Sequence, residues 1–211
     1  MPIFFHQEID KDTKLGIWKI EEGADFFLEK VMPQRQVHHP HKKLQHLAGR
    51  YILQYLFPDF PVELIQIADT RKPFLEDEAY HFSISHCADF AAAIVSRTHR
   101  VGLDIEIVTP KVEKILHKFL HADELEKTKA YTDNNRLINL TILWSAKEAL
   151  FKWWGWGGVD FSEMLRLETL PHDKNGNLKG CVITNNEQFP LHIFYEQFPE
   201  LVLAWTASER K

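Results

Sequence analysis

The sequence predicts an α+β protein built from two similar halves, each a helix packed on an antiparallel sheet and related by a pseudo-two-fold. Three observations carry this. Apolar residues recur at helical spacing and then in β-like runs, and the alternation occurs twice. The second helical-then-β succession begins near the middle of the 211 residues. No Gly/Ser-rich linker separates the two parts, so they are expected as an N-terminal half, 1–103, and a C-terminal half, 104–211, packed together with a cleft between them, at whose junction Asp104 and Glu106 lie. No residue-level repeat links the halves.

Element by element, residues 2–20 carry short apolar runs broken at Gly16, consistent with one or two strands. Residues 21–31 read as a helix stopping near Pro33. Residues 41–56 carry Leu44, Leu47, Ala48, Tyr51, Ile52 and Tyr55 at helical spacing, and Pro58 and Pro61 end that helix. A strand is expected at 63–68, followed by the Thr70-Arg71-Lys72-Pro73-Phe74 segment. Then three β runs, 80–85, 90–96 and 101–108, are joined by short turns as a meander. After Pro110 the pattern is helical over 112–119, 123–131 and 137–153, until Gly155-Trp156-Gly157-Gly158 stops it. Strands follow at 165–170, 180–184, 191–195 and 201–207, with a turn at Lys174-Asn175-Gly176-Asn177.

Composition narrows the function classes. Apolar residues make up 45% and charged residues 26%, as in an ordinary globular protein large enough to bury its own core. A net charge of -5 argues against a nucleic-acid binder, which needs a basic excess to neutralise phosphates. Positive charge is concentrated locally over 34–50, where Arg35, Lys42, Lys43 and Arg50 occur with four histidines and no carboxylate, a stretch suited to a phosphorylated ligand or an acidic protein. His38-His39-Pro40-His41 within it reads as a loop rather than a metal cluster. No apolar run is long enough to span a bilayer, and the first residues lack the basic flank of a signal peptide. Two cysteines, Cys87 and Cys181, suit a reducing compartment, so the expected location is the cytoplasm.

Three segments carry the chemistry. In Val101-Gly102-Leu103-Asp104-Ile105-Glu106, strand alternation sends both carboxylates to one face. In Trp144-Ser145-Ala146-Lys147-Glu148-Ala149-Leu150-Phe151-Lys152, Glu148 and Lys152 stand one helical turn apart, so a third carboxylate has an ammonium beside it. Taken singly these are a solvated carboxylate pair and an exposed helix ion pair. Their apolar surroundings, with Leu140, Leu143, Trp144, Ala149 and Phe151, place them in partly buried positions, where neighbouring carboxylates need a cation. Oxygen ligands and an ammonium together point to phosphate chemistry. The third segment is His81-Phe82-Ser83-Ile84-Ser85-His86-Cys87. Adjacent strand residues face opposite ways, so Ser85 and His86 are poorly placed as a nucleophile–base pair; both suit phosphate oxygens, His86 best when protonated.

Phe82-Ser83-Ile84-Ser85-His86, Gly102-Leu103-Asp104-Ile105-Glu106 and Trp144 to Lys152, in this order, resemble the 4'-phosphopantetheinyl transferases of the Sfp type. Leu47-Ala48-Gly49-Arg50 and Arg71-Lys72-Pro73 extend the resemblance over about residues 41–158. The length matches the pseudo-dimeric, monomeric type rather than the shorter holo-acyl-carrier-protein synthases, which form their sites between subunits.

The resemblance implies transfer of the 4'-phosphopantetheine arm of coenzyme A to a serine of an apo acyl or peptidyl carrier protein, with no nucleic acid or membrane as partner. In it Asp104, Glu106 and Glu148 hold Mg2+, with Mn2+ as the other candidate. Glu148 is the candidate base and Lys152 stabilises the leaving phosphate. Ser85, His86 and Arg50 bind the 3'-phosphate end, while Arg71, Lys72 and Pro73 line the nucleotide pocket. Lys147 reads as structural. Two departures stand out: Arg71 replaces the usual glycine of Gly-Lys-Pro, and Cys87 follows Ser85-His86 where serine is frequent. Carrier docking is expected on 111–119 with Lys114 and Lys118, or on Trp153-Trp154-Gly155-Trp156, tryptophans that equally suit a core. A Mg2+-dependent nucleotide phosphohydrolase and a noncatalytic coenzyme A or carrier-binding module are the alternative readings of the same residues.

Overall fold

A computed structural model describes residues 3–31, 37–185 and 187–209. Pro33, the expected helix stop, and Arg35 of the basic stretch lie outside them. The chain divides into two compact units, one reaching to Val101 and taking in Glu209, the other Gly102–Ser208. Each unit packs helices on an antiparallel sheet, which is the expected α+β class.

In the first unit the strands β1 (Ile3–Asp10) and β2 (Thr13–Lys19) form a hairpin before any helix. The stretch 21–31 holds only a short helix, α1 (Ala24–Leu28), and the major helix is α2 (Pro40–Leu56). Its N-cap is His39, whose ring accepts the Lys42 amide, and Pro40 takes the first turn, where its missing N–H costs nothing. The expected loop at 38–41 is therefore half helix.

The expected strand at 63–68 is mostly a 3-10 turn, Val62–Leu64, followed by β3 (Gln66–Ile67) paired with β4 (Pro73–Phe74). Pairing stops there because the chain reverses through Arg71, whose φ of 66° lies in the left-handed region. Strands β5 (His81–Cys87) and β6 (Phe90–Ser96) complete a sheet in the order β1-β2-β6-β5. Every residue of β6 is buried, as its central place in the sheet demands. Leu47, Ala48, Ile52, Leu53 and Leu56 of α2 close the core against Trp18, Phe82, Ala91, Ala93 and Val95.

Strand β7 (His99–Glu106) corrects the expected meander. Both edges of β6 are already taken by β2 and β5, so β7 has no ladder position beside it and instead forms one edge of the second sheet. A 3-10 turn (Pro110–Ile115) and two short helices, α3 (Leu116–Phe119) and α4 (Ala122–Thr128), lead to α5 (Asp133–Trp154). That long helix ends at Gly155, whose φ of 74° gives the left-handed cap the glycine cluster predicts. Strands β8 (Leu165–Leu167), β9 (Asn175–Ile183), β10 (Gln188–Gln197) and β11 (Val202–Glu209) give the order β7-β11-β10-β9-β8. The expected turn at 174–177 is largely strand, because Asn175, Gly176 and Asn177 pair with Glu196, Tyr195 and Phe194. Leu140, Leu143, Ala146, Ala149, Leu150 and Trp153 of α5 pack against Leu165, Leu178, Val182, Ile193 and Val202 in the second core.

Two contacts fix α5 in this unit. At Gly102, β7 meets the helix backbone: a Cβ there would lie 2.0 Å from the Ala149 carbonyl oxygen and 2.6 Å from the Trp153 nitrogen. On another side of the helix Lys147, fully buried, donates to the Phe119 and Phe161 carbonyl oxygens and to Glu124 Oε2. Glu124, also buried, accepts from the His121 and Leu167 amides, so one ion pair joins α3, α4, β8 and α5. Burial pulls the Lys147 pKa down while Glu124 opposes that, and the geometry is that of a fully hydrogen-bonded interior pair.

Replacing Gly102 by alanine must push β7 and α5 apart, and a loss of about 2 kcal/mol or more is expected in denaturant unfolding. Lys147→Met strands the Glu124 charge and is expected to cost about 3–5 kcal/mol. Adding Glu124→Gln to it should recover part of that loss in the same measurement, because the unpaired charge is gone.

Candidate active site

Gly102, Asp104 and Glu106 alternate onto one face of β7, and the close approach at Gly102 turns that face toward α5. Along the helix, Trp144, Glu148 and Lys152 follow at intervals of four residues, one above the other. The two rows run in opposite directions, so the partners interleave. Gly102 lies against Ala149 and Trp153, Asp104 Oδ1 accepts from Lys152 Nζ at 2.7 Å, and Glu106 Oε1 accepts from the Trp144 indole N–H at 3.2 Å.

Burial decides the electrostatics. Asp104 is 4% exposed, and Glu106 and Glu148 are half-buried. Loss of solvent pushes the Glu148 pKa up to about 7; the Asp104 and Glu106 charges push the same way, and Lys152 opposes them. Glu106 is also raised, first by burial and then by Asp104, with the Trp144 hydrogen bond and Lys152 acting against. Three carboxylates thus share one neighbourhood with one ammonium acting on them, an excess of negative charge that a proton or a cation must offset.

The donor set is all oxygen, which suits a hard divalent ion such as Mg2+. Among the described residues, no three His, Cys, Asp or Glu side chains are arranged around a common point to hold a metal. The side chains stand instead with Lys152 on Asp104 and Trp144 on Glu106. In donor chemistry and charge the residues fit the ion.

The other expected site residues lie in the first unit. Arg50 and Ser85 are buried, each 7% exposed, while His86 is exposed on the opposite face of β5, as strand alternation requires. The hairpin turn after them is pinned from α2: Gln45 donates to the Ala88 carbonyl oxygen at 2.8 Å, and His41 meets Asp89 at 3.0 Å. In the other loop, Arg71 donates its amide to the Ala68 carbonyl oxygen and Lys72 accepts the Ala68 amide on its own. Arg71 therefore adopts the backbone conformation for which glycine is the ordinary choice. Lys72 is half-buried, and loss of solvent, aided by the Arg100 charge, lowers its pKa to about 8. Pro73 opens β4, which lies beside β5.

Sequence reasoning assigns no role to Gly102 or Trp144, and it reads Lys147 as structural without its partner Glu124. Gly102 carried a signal, since it shares the strand face of Asp104 two residues on. Trp144 stands one helical turn before Glu148. The tryptophan cluster divides: Trp153 is buried and donates to Ser208 Oγ at 2.9 Å, Trp154 packs on Phe189, and Trp156 is 71% exposed.

Several known proteins are similar to this chain. The chain is 36% identical over 112 residues to "Enterobactin synthase component D" of Salmonella austin, covering 53% of this chain and 47% of that protein. It is 31% identical over 164 residues to "4'-phosphopantetheinyl transferase gsp" of Aneurinibacillus migulanus, covering 77% and 64%. With "4'-phosphopantetheinyl transferase AcpT" of Escherichia coli O157:H7 it shares 27% over 108 residues, covering 50% and 55%. The matched part thus spans about half the length of most of these curated relatives. A sequence model of the 4'-phosphopantetheinyl transferase superfamily matches residues 100–206, the stretch that holds β7, α5 and their carboxylates. On that match, and on the motifs that β7 and α5 bring together, the chain belongs to the 4'-phosphopantetheinyl transferase superfamily.

Proposed function

We propose that this chain transfers the 4'-phosphopantetheine group of coenzyme A to a serine of an apo acyl or peptidyl carrier protein, releasing adenosine 3',5'-bisphosphate, with Mg2+ as cofactor. The observation that supports this best is the pair of β7 carboxylates, buried Asp104 and half-buried Glu106, set against Glu148 and Lys152 of α5. The serine Oγ–phosphorus bond forms as the pyrophosphate bond to the adenosine side breaks. The serine proton must be taken up, and the leaving phosphate gains charge.

Glu148 is suited to take that proton, since it is half-buried and loss of solvent raises its pKa above the ordinary carboxylate range, which makes it a stronger base. Lys152, 24% exposed at its side chain, can place an ammonium against the leaving phosphate. Asp104, Glu106 and Glu148 would hold the ion, which would supply charge neutralisation at the pyrophosphate. In the first unit Arg50, Ser85 and His86 would take the 3'-phosphate end, and Arg71, Lys72 and Pro73 the nucleotide, with Lys72 cationic below about pH 8. For the carrier, Lys111, Lys114 and Lys118 are exposed beside the half-buried Ile115 and Leu116, and Trp156 is exposed beyond α5. A monomer acting in the cytoplasm completes the reading. Among the described residues no helix is long and apolar enough to cross a membrane.

Intact mass spectrometry of several apo carriers incubated with coenzyme A, Mg2+ and the protein is expected to show the added phosphopantetheine. Hydrolysis of coenzyme A with every carrier unmodified would identify a phosphohydrolase instead. Glu148→Gln should lower transfer by about 10²–10⁴-fold with the fold retained by circular dichroism. Coenzyme A affinity should fall as pH rises through about 8, where Lys72 loses its proton, and Lys72→Met should remove that fall. An affinity unchanged from pH 7 to 9 in the unsubstituted protein would reject Lys72 as a phosphate contact.

A further inference from the structure

The three carboxylates of the site are not held alike. Asp104 accepts from Lys152 and Glu106 from the Trp144 indole. Glu148 is acted on by burial and by the charges of Asp104, Lys152 and Glu106, with no hydrogen bond to it among the described residues. One helical turn before Glu148 stands Ser145, whose side chain is completely buried and whose Oγ has no hydrogen-bond partner among the described residues. A buried hydroxyl normally finds an acceptor, because an unmade hydrogen bond leaves the whole cost of removing the group from water. In a helix the ordinary acceptor is the carbonyl four residues back. Thr141, one turn earlier and 2% exposed, takes that option and donates to the Leu137 carbonyl oxygen at 2.7 Å. Ser145 leaves the equivalent carbonyl oxygen of Thr141 alone.

From this contrast we infer that Ser145 is a positioning residue, whose hydroxyl donates to the Glu148 carboxylate and aims it at the proton of the incoming carrier serine. The inference rests on the transferase reading given above and assigns the group that orients its proposed base. Long side chains on a helix point toward the N-terminus and cover the turn before their own Cα, so the Glu148 carboxylate reaches back over residues 144 and 145. Of the donors on this stretch, Trp144 is given to Glu106, Lys147 to Glu124 and Lys152 to Asp104, which leaves Ser145 for Glu148. Ser145 also stands four residues before Ala149, whose carbonyl oxygen borders Gly102, so it lies on the side of α5 that faces β7. No covalent bond changes and Ser145 keeps its proton; rotation about the Glu148 side-chain bonds makes the hydrogen bond. An uncharged donor on one carboxylate oxygen leaves the charge in place and the other oxygen open to the serine proton.

A crystal structure at atomic resolution is expected to place Ser145 Oγ within hydrogen-bond distance of a Glu148 carboxylate oxygen, directly or across one ordered water. A Ser145 hydroxyl donating to the Thr141 carbonyl oxygen instead would overturn the inference whatever the activity. Phosphopantetheine transfer is measured alongside for the unsubstituted protein, Ser145→Ala and Ser145→Thr, each checked for its fold by circular dichroism. Ser145→Ala should lower kcat at least about tenfold, as a slightly misplaced group does, with KM for coenzyme A within about twofold of the unsubstituted value. Ser145→Thr keeps the hydroxyl and should recover most of that loss. A Ser145→Ala kcat equal to that of the unsubstituted protein, or a loss that folded Ser145→Thr shares in full, would reject the positioning role while leaving the transferase reading standing. No transfer by the unsubstituted protein would remove that reading and the positioning role together, even with the hydrogen bond present.

Discussion

The approach of β7 to α5 at Gly102 is the constraint on which the second unit's chemistry depends. A strand and a helix normally stand apart by the thickness of their side chains. Here the crossing leaves no room for a side chain on the strand, since a Cβ on Gly102 would lie 2.0 Å from the Ala149 carbonyl oxygen and 3.0 Å from the Trp153 Cβ. That closeness brings short side chains within reach of one another. Asp104 meets Lys152 and Glu106 meets Trp144 directly, without bridging groups. The same closeness removes solvent from the carboxylates and raises Glu148 and Glu106, so packing and acid–base character share one cause.

A helix pressed against a strand at one point can still roll about its own axis. Lys147 prevents this through the carbonyl oxygens of Phe119 and Phe161 and through Glu124, on the side of α5 away from Glu148. Two adjacent residues thus differ: Lys147 is fully buried in its ion pair, and Glu148 is half-buried beside Asp104 and Glu106 with its pKa raised. The aromatic neighbours continue this support. Trp144 stacks on Phe161 and meets Phe119 edge-on while its N–H holds Glu106, so the loop after α5 and the end of α3 both bear on one carboxylate.

The first unit shows how a sequence departure is accommodated. Arg71 occupies a left-handed turn position, φ 66°, that glycine fills without cost, and the turn is closed by the Ala68–Lys72 and Arg71–Ala68 backbone hydrogen bonds. The loop keeps its shape despite the strained residue. Ser85 and His86 show the other side of strand geometry, one buried and one exposed, with the turn beyond them held by Gln45 and His41 of α2.

Much of this was legible in sequence, because it depends on local periodicity. Asp104 and Glu106 share a face since strands alternate, Glu148 and Lys152 since helices repeat at about 3.6 residues, and α2, β6 and α5 follow from their apolar patterns. Order along the chain gave the two α+β halves for the same reason. What sequence alone could not decide was pairing between distant segments. Strand β7 leaves the first sheet because β6 has both edges occupied, a matter of sheet order and not of β7's own residues. Lys147 takes Glu124 and Lys152 takes Asp104, although both lysines lie on one short helical stretch, because the face each presents is set by what packs against α5. Residue types and spacings therefore placed Asp104 with Glu106 on one strand face and Glu148 with Lys152 on one helix face. Only the tertiary structure decided which charge meets which, since desolvation and distance exist only once β7 and α5 are in contact.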